Sequence, residues 1–105
     1  MTRADLPPGT QACQALHAAV EFAFAFPALT ARWHAESNTV VLLTVADEAY
    51  LTTTAAEARA VGLRVVTFHE PDLGGETTAA AFEPSAHRLL SHLPLALSRR
   101  KEVRT

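Results

Sequence analysis

The sequence predicts an α/β fold, a small mixed β-sheet with helices on both faces. Three observations carry that expectation. Residues 11–26 are rich in Ala and free of Gly and Pro, which suits a long helix. Residues 39–45 (TVVLLTV) form a β-branched, nearly continuous apolar run, typical of a strand buried on both faces. That run, a helical stretch over 48–61 and a second apolar run over 63–68 have the order and lengths of a βαβ unit with a right-handed crossover.

The remaining elements follow from their boundary residues. Pro7-Pro8-Gly9 is a stiff turn from which Gly9 or Thr10 starts the first helix. Pro27 suits the first turn of a shorter helix ending near His34 or Ala35, and Ser37-Asn38 breaks the pattern. Asp47 is placed to cap the helix over 48–61, whose apolar positions Leu51, Ala55 and Ala58 keep helical spacing, and Gly62 is placed to end it. Residues 70–76 (EPDLGGE) read as a turn, and Thr77 to Phe82 returns as a third strand. Pro84 ends that strand, Ser85 caps a short helix to about His92, and Pro94 stops it.

A chain of 105 residues fits one domain, read here as residues 1–97 with a basic tail over 98–105. With 49% hydrophobic and 19% charged residues, a packed core is expected rather than disorder. Nine basic against eleven acidic residues give a net charge of −2, without the basic excess of a dedicated nucleic-acid binder. Arg99, Arg100, Lys101 and Arg104, relieved by Glu102, are read as a solvated tail. Cys13 is the only cysteine, which excludes an intrachain disulfide and a cysteine metal cluster and fits the reducing cytoplasm. No signal peptide is expected, and the apolar run from Val20 to Leu29 is broken by Glu21 and Pro27, short of a membrane span.

The first helix carries the informative pattern. Most of residues 12–26 are apolar, yet Thr10, Gln14, His17 and Glu21 recur at spacings of four, three and four and so share one narrow stripe. An amphipathic helix exposing a polar face would produce such a stripe by default. Exposed faces usually use Lys, Arg and Glu, however, whereas Gln and His orient substrates and exchange protons near neutral pH. The other histidines read blandly. His69 with Glu70 and Asp72 is a partial metal set without a recognised ligand spacing, and His87 and His92 are expected at the surface. Phe22, Phe24, Phe26 and Trp33 are expected in the core. No metal or other cofactor is expected.

Arg3-x-Asp5-Leu6-x-x-Gly9-x-x-Ala12-x-Gln14-x-x-His17-Ala18-Ala19 resembles the opening signature of the peptidyl-tRNA hydrolase 2 family. The second half agrees in order. An apolar strand, an acidic-capped helix, Gly62-Leu63, the turn Glu70-Pro71-Asp72-Leu73 and the strand beginning Thr78-Ala79-Ala80-Ala81 are similar to the family's pattern. The shortened acidic turn looks like the bacterial and phage-type branch.

The resemblance implies cleavage of the ester between a peptide and the 3′ ribose of tRNA, with peptidyl-tRNA as partner and no cofactor. Such a reaction needs an activated water, a polarised carbonyl and a proton for the leaving oxygen. The resemblance assigns proton movement to His17, orientation of water or donation to the carbonyl to Gln14 and Thr78, and support of His17 or the water to Glu70. Asp72 is the second choice for that acidic role. Thr10, Asp72, Arg3 and Arg88 are the expected substrate-binding residues.

Two departures from the family pattern carry consequences. The usual Gly-Lys is Gly9-Thr10, and the chain's one Lys, Lys101, lies far away in sequence, so Arg3 or Arg88 is the expected replacement cation. Only Met1 and Thr2 precede Arg3, so either the true start lies upstream or the first strand of the sheet is missing. A missing strand would expose an edge and favour a homodimer. Two alternatives to hydrolysis remain at this point. One is a catalytically weakened relative that binds a ligand, RNA or protein, and the other is an oligomerising structural domain.

Overall fold

The computed structural model describes residues 1–98, so the basic residues of the tail lie outside the described part. In chain order the elements are strand β1 (Thr2–Arg3), helices α1 (Pro8–Ala25) and α2 (Pro27–Glu36), strand β2 (Thr44–Val45), helix α3 (Glu48–Ala60), strands β3 (Val65–Glu70) and β4 (Glu76–Phe82), and helix α4 (His87–Leu90). Short 3-10 turns cover Pro71–Leu73 and Pro84–Ala86. The strands make one sheet in the order β2-β1-β4-β3. β2 is parallel to β1, and β4 is antiparallel to both β1 and β3, so the sheet is mixed as expected.

Topology explains why the helices occupy both faces. The chain passes from β1 through α1 and α2 to β2 in one direction across the sheet, and from β2 through α3 to β3 in the other. Right-handedness in both crossovers then requires opposite faces. The packing agrees. α1 lies on β3 and β4, whereas Leu51, Ala55 and Ala58 of α3 form a core with Met1, Val45, Val65 and Ala80 on the other side. Leu51 is fully buried at its centre.

The helix ends obey the residues that set them. Asp47 accepts the Tyr50 N–H at 2.9 Å and so caps α3. At the other end Gly62 takes a positive φ of 87°, and the Leu63 N–H reaches the Ala58 carbonyl at 3.0 Å, closing a Schellman turn. Pro8 and Pro27 open α1 and α2, and the two helices meet at a 110° bend. Among the described residues no single helix is long and apolar enough to cross a membrane.

Several expectations are corrected. The first strand is present. Thr2 and Arg3 form β1 between β2 and β4, and the Met1 carbonyl also accepts the Ala80 N–H at 2.9 Å. Two residues suffice there because neighbours pair on both sides. With that gap filled, the edge expected to favour a homodimer is absent at this point.

The run over 39–45 is a strand only at Thr44–Val45, since β1 offers two residues to pair with. Val40 is 76% exposed. The outer side of this segment is covered by residues 94–96, through Thr44 N–H to the Pro94 carbonyl and Ala96 N–H to the Leu42 carbonyl. Ser85 does not cap a helix, because its hydroxyl donates to Glu83 and Ala86 precedes α4 instead.

The helix α1 buries only the narrow face of Gln11, Gln14, Ala18 and Phe22. Phe24, expected in the core, is 83% exposed and shares an outward stripe with Leu16 and Val20. Phe22 is buried as expected, while Phe26 and Trp33 are half-buried.

Candidate active site

α1 lies antiparallel along β3, and three contacts fix its register. Gln14 meets Glu70, His17 meets Phe68, and Phe26 lies under the guanidinium of Arg64, 5.8 Å from the ring centroid. Alternation along a strand puts Val66, Phe68 and Glu70 on the α1 face and Thr67 and His69 on the other. His69 accordingly faces away from the site, hydrogen-bonding within reach of Thr77 Oγ1 at 3.2 Å and the Gly75 carbonyl at 3.3 Å. It therefore forms no metal set with Glu70.

Thr78 reaches the same face through a break in regularity. Phe68 pairs with Ala79 and His69 with Thr77, which leaves Thr78 as the extra residue of a β-bulge. Ala80 faces the α3 core, so strict alternation would put Thr78 there as well. The bulge turns Thr78 to α1 instead, a use of bulges common beside functional sites.

There Thr78, which is fully buried, donates its hydroxyl to Gln14 Oε1 at 2.5 Å, and Gln14 Nε2 donates to Glu70 Oε1 at 3.4 Å. The chemistry fixes the amide's orientation. An ionised Glu70 only accepts, so Gln14 must turn its NH2 to it and its oxygen to Thr78, which must then donate. Gln14 itself is buried, whereas Glu70 is half-buried and thus meets solvent.

An open cleft of about 490 Å³ borders this chain, lined by Thr10, Cys13, Gln14, Glu70, Asp72 and Leu73. His17 is exposed one helical turn beyond Gln14, its ring stacked on Phe68 with centroids 4.6 Å apart. The polar stripe on α1 is thus the rim where helix meets sheet, with Gln14 on its inner side and His17 and Glu21 on its outer side. A second hollow of about 540 Å³, between α3 and residues 89–93, contains none of the expected site residues.

The two arginines expected to replace the missing Lys are placed otherwise. Arg3 is buried, forking Nε and Nη2 onto the Asp5 carboxylate at 3.0 and 2.8 Å, with Nη1 on Glu76 at 2.7 Å and on the Thr77 carbonyl at 3.1 Å. Its proton is held more tightly than that of a free guanidinium, chiefly by Asp5, and Asp5 is in turn held below the usual carboxylate range by Arg3. Arg88 is exposed on α4, next to Leu90 of the core on the α3 side. Among the described residues lining the cleft none is Lys or Arg.

The structure thus brings Thr10, Gln14, Glu70, Asp72 and Thr78 together with His17 beside them, and sets Arg3 and Arg88 apart. Phe68 was not singled out in the sequence, although its position two residues before Glu70 on a strand carries the signal that both share a face. No curated protein matches the chain. The family model for peptidyl-tRNA hydrolase PTH2 matches residues 2–97, a span that includes every residue of the cleft. The chain belongs to that family.

Proposed function

We propose that this peptidyl-tRNA hydrolase-like chain cleaves the ester of peptidyl-tRNA in the cleft between α1 and the turn at 70–73. The observation that carries the reading is the Thr78–Gln14–Glu70 chain, a buried hydroxyl and amide that end on a solvent-accessible carboxylate. Glu70 uses one oxygen for Gln14 and keeps its other oxygen for a water, whose proton it accepts as the water oxygen bonds to the ester carbon. Asp72, on the same cleft wall, is the second carboxylate available for that task.

The carbonyl oxygen gains negative charge as the tetrahedral species forms. Thr10 Oγ1 and the second N–H of Gln14, which has no protein acceptor among the described residues, are the donors in the cleft for that oxygen. Thr78 acts by holding Gln14 in the donating orientation. When the carbon–oxygen bond to the ribose breaks, His17 supplies the proton to the 3′ oxygen, and it regains one from solvent because its ring is exposed. With neutral donors in place of a cation, turnover should be slower than in relatives that keep the Lys, by about 2–4 kcal/mol of transition-state stabilisation.

The same reading places the protein in the cytoplasm, where peptidyl-tRNA is made, and in the branch marked by the short Glu70-Pro71-Asp72-Leu73 turn. RNA-free protein should release the acyl group from an N-blocked aminoacyl-tRNA, and His17→Ala should lower that rate about 100-fold. A substrate left intact by wild-type protein at high concentration would refute the reading.

A further inference from the structure

β4 loses its neighbour on one side just where the site begins. Thr2 of β1 faces Ala79, and β1 ends at Arg3, so among the described residues no strand partner stands beside Thr77 on the side away from β3. Two side chains take that place. Glu48, the first residue of α3, accepts the Thr77 N–H on Oε2 at 2.7 Å. Arg3 Nη1 donates to the Thr77 carbonyl at 3.1 Å, while Asp5 and Glu76 hold the guanidinium in position. Both backbone groups of Thr77 are therefore bound by charged side chains, which form stronger hydrogen bonds than neutral ones.

Thr77 is the residue immediately before the bulge. A bulge disrupts its own ladder, so its register depends on what clamps the residues beside it. Relaxation to regular pairing would carry Thr78 to the α3 face beside Ala80 and leave Gln14 Oε1 without its donor. We propose that Glu48, together with Arg3, is a positioning residue for the site, fixing the bulge so that the Thr78 hydroxyl meets Gln14. Glu48 approaches from α3, the face opposite the cleft, and so acts without occupying it. This rests on the reading of Gln14 and Thr78 as part of the ester-cleaving site.

The test compares Glu48→Ala, Glu48→Gln and Glu48→Asp in the full chain. The readouts are amide exchange at Thr77, the Gln14 side-chain NH2 resonances, and kcat and KM on an N-blocked aminoacyl-tRNA. Glu48→Ala should speed Thr77 exchange and lower kcat by about tenfold each, shift the Gln14 NH2 signals and leave KM unchanged. Glu48→Gln keeps a carbonyl acceptor at the same reach but loses the charge, and should fall between wild type and Glu48→Ala in all readouts. If Glu48→Ala does not fold, Glu48→Asp, one methylene too short, takes its place with the same expected changes.

Wild-type Thr77 protection and Gln14 signals in the Ala or Asp variant would overturn the proposal. So would equal losses in Glu48→Gln and Glu48→Ala, since the acceptor that Gln retains would then hold nothing. A wild-type protein that hydrolyses nothing refutes the hydrolase reading instead, and the exchange and resonance readouts still decide whether Glu48 sets the bulge.

Discussion

The imidazole of His17 lies flat on the ring of Phe68, the planes within 12° of one another. A histidine on an exposed helix face ordinarily has several rotamers, and a stacked ring selects one of them at the edge of the cleft. Phe68→Ala should therefore lower kcat about 2- to 13-fold, an aromatic pair being worth about 0.5–1.5 kcal/mol, while Phe68→Tyr keeps most of the activity. Single-turnover hydrolysis of an N-blocked aminoacyl-tRNA measures both.

Thr78 supplies a hydroxyl to a buried amide, so shape alone cannot replace it. Thr78→Val keeps the volume and leaves Gln14 Oε1 without a donor, which should cost about 1–3 kcal/mol. Thr78→Ser keeps the hydroxyl and should cost less. Urea unfolding of both variants decides, and equal losses would deny the hydrogen bond its importance.

Acid should weaken the protein through Asp5. Its folded carboxyl is held below the ordinary value near 3.8 by Arg3. The stabilisation is therefore full above the unfolded value and is lost as pH falls through the lower, folded one. Asp5→Asn should flatten the fall in urea midpoint below about pH 4 and leave the pH dependence around neutrality unchanged. Because Asp5 is partly exposed, high salt should shrink the effect.

Leu51 and Phe24 make a matched contrast in burial. Leu51→Ala opens a hole in the α3 core and should cost about 2–5 kcal/mol. Phe24→Ser removes a larger ring from the surface and should change stability by less than about 0.5 kcal/mol. Thermal unfolding of the pair measures both, and a large loss for Phe24→Ser would show that its ring is covered in solution.

What could be read in the sequence was local. Asp47, Gly62 and the prolines set helix ends through bonds within a few residues, so α3 and α2 were legible nearly to the residue. Gln14 and His17 were legible because helical spacing alone places them on one rim. The strand over 39–45 was overextended because its true length depends on β1, a partner more than forty residues away. Phe24 was misplaced for a related reason. Apolarity in α1 does not say how much sheet there is to cover it, and four strands cover only one side. The bulge at Thr78 was invisible, since two residues facing one is a property of the pair of strands and leaves no composition mark. The fate of Arg3 was equally hidden, because Asp5 is close in sequence but Glu76 is brought by folding.

The brevity of β1 gives the molecule a seam. The ribbon made by residues 42–45 and 94–96 joins the rest of the sheet through two residues, whereas α1, β3 and β4 are laced together along their lengths. On native-state hydrogen exchange the amides of Thr44 and Ala96 should accordingly open at lower free energy than those of Val66 and Ala81, and open together. The part that carries the cleft can then stay closed while the far edge breathes, so the end proposed to hold the reaction is also the slowest to loosen.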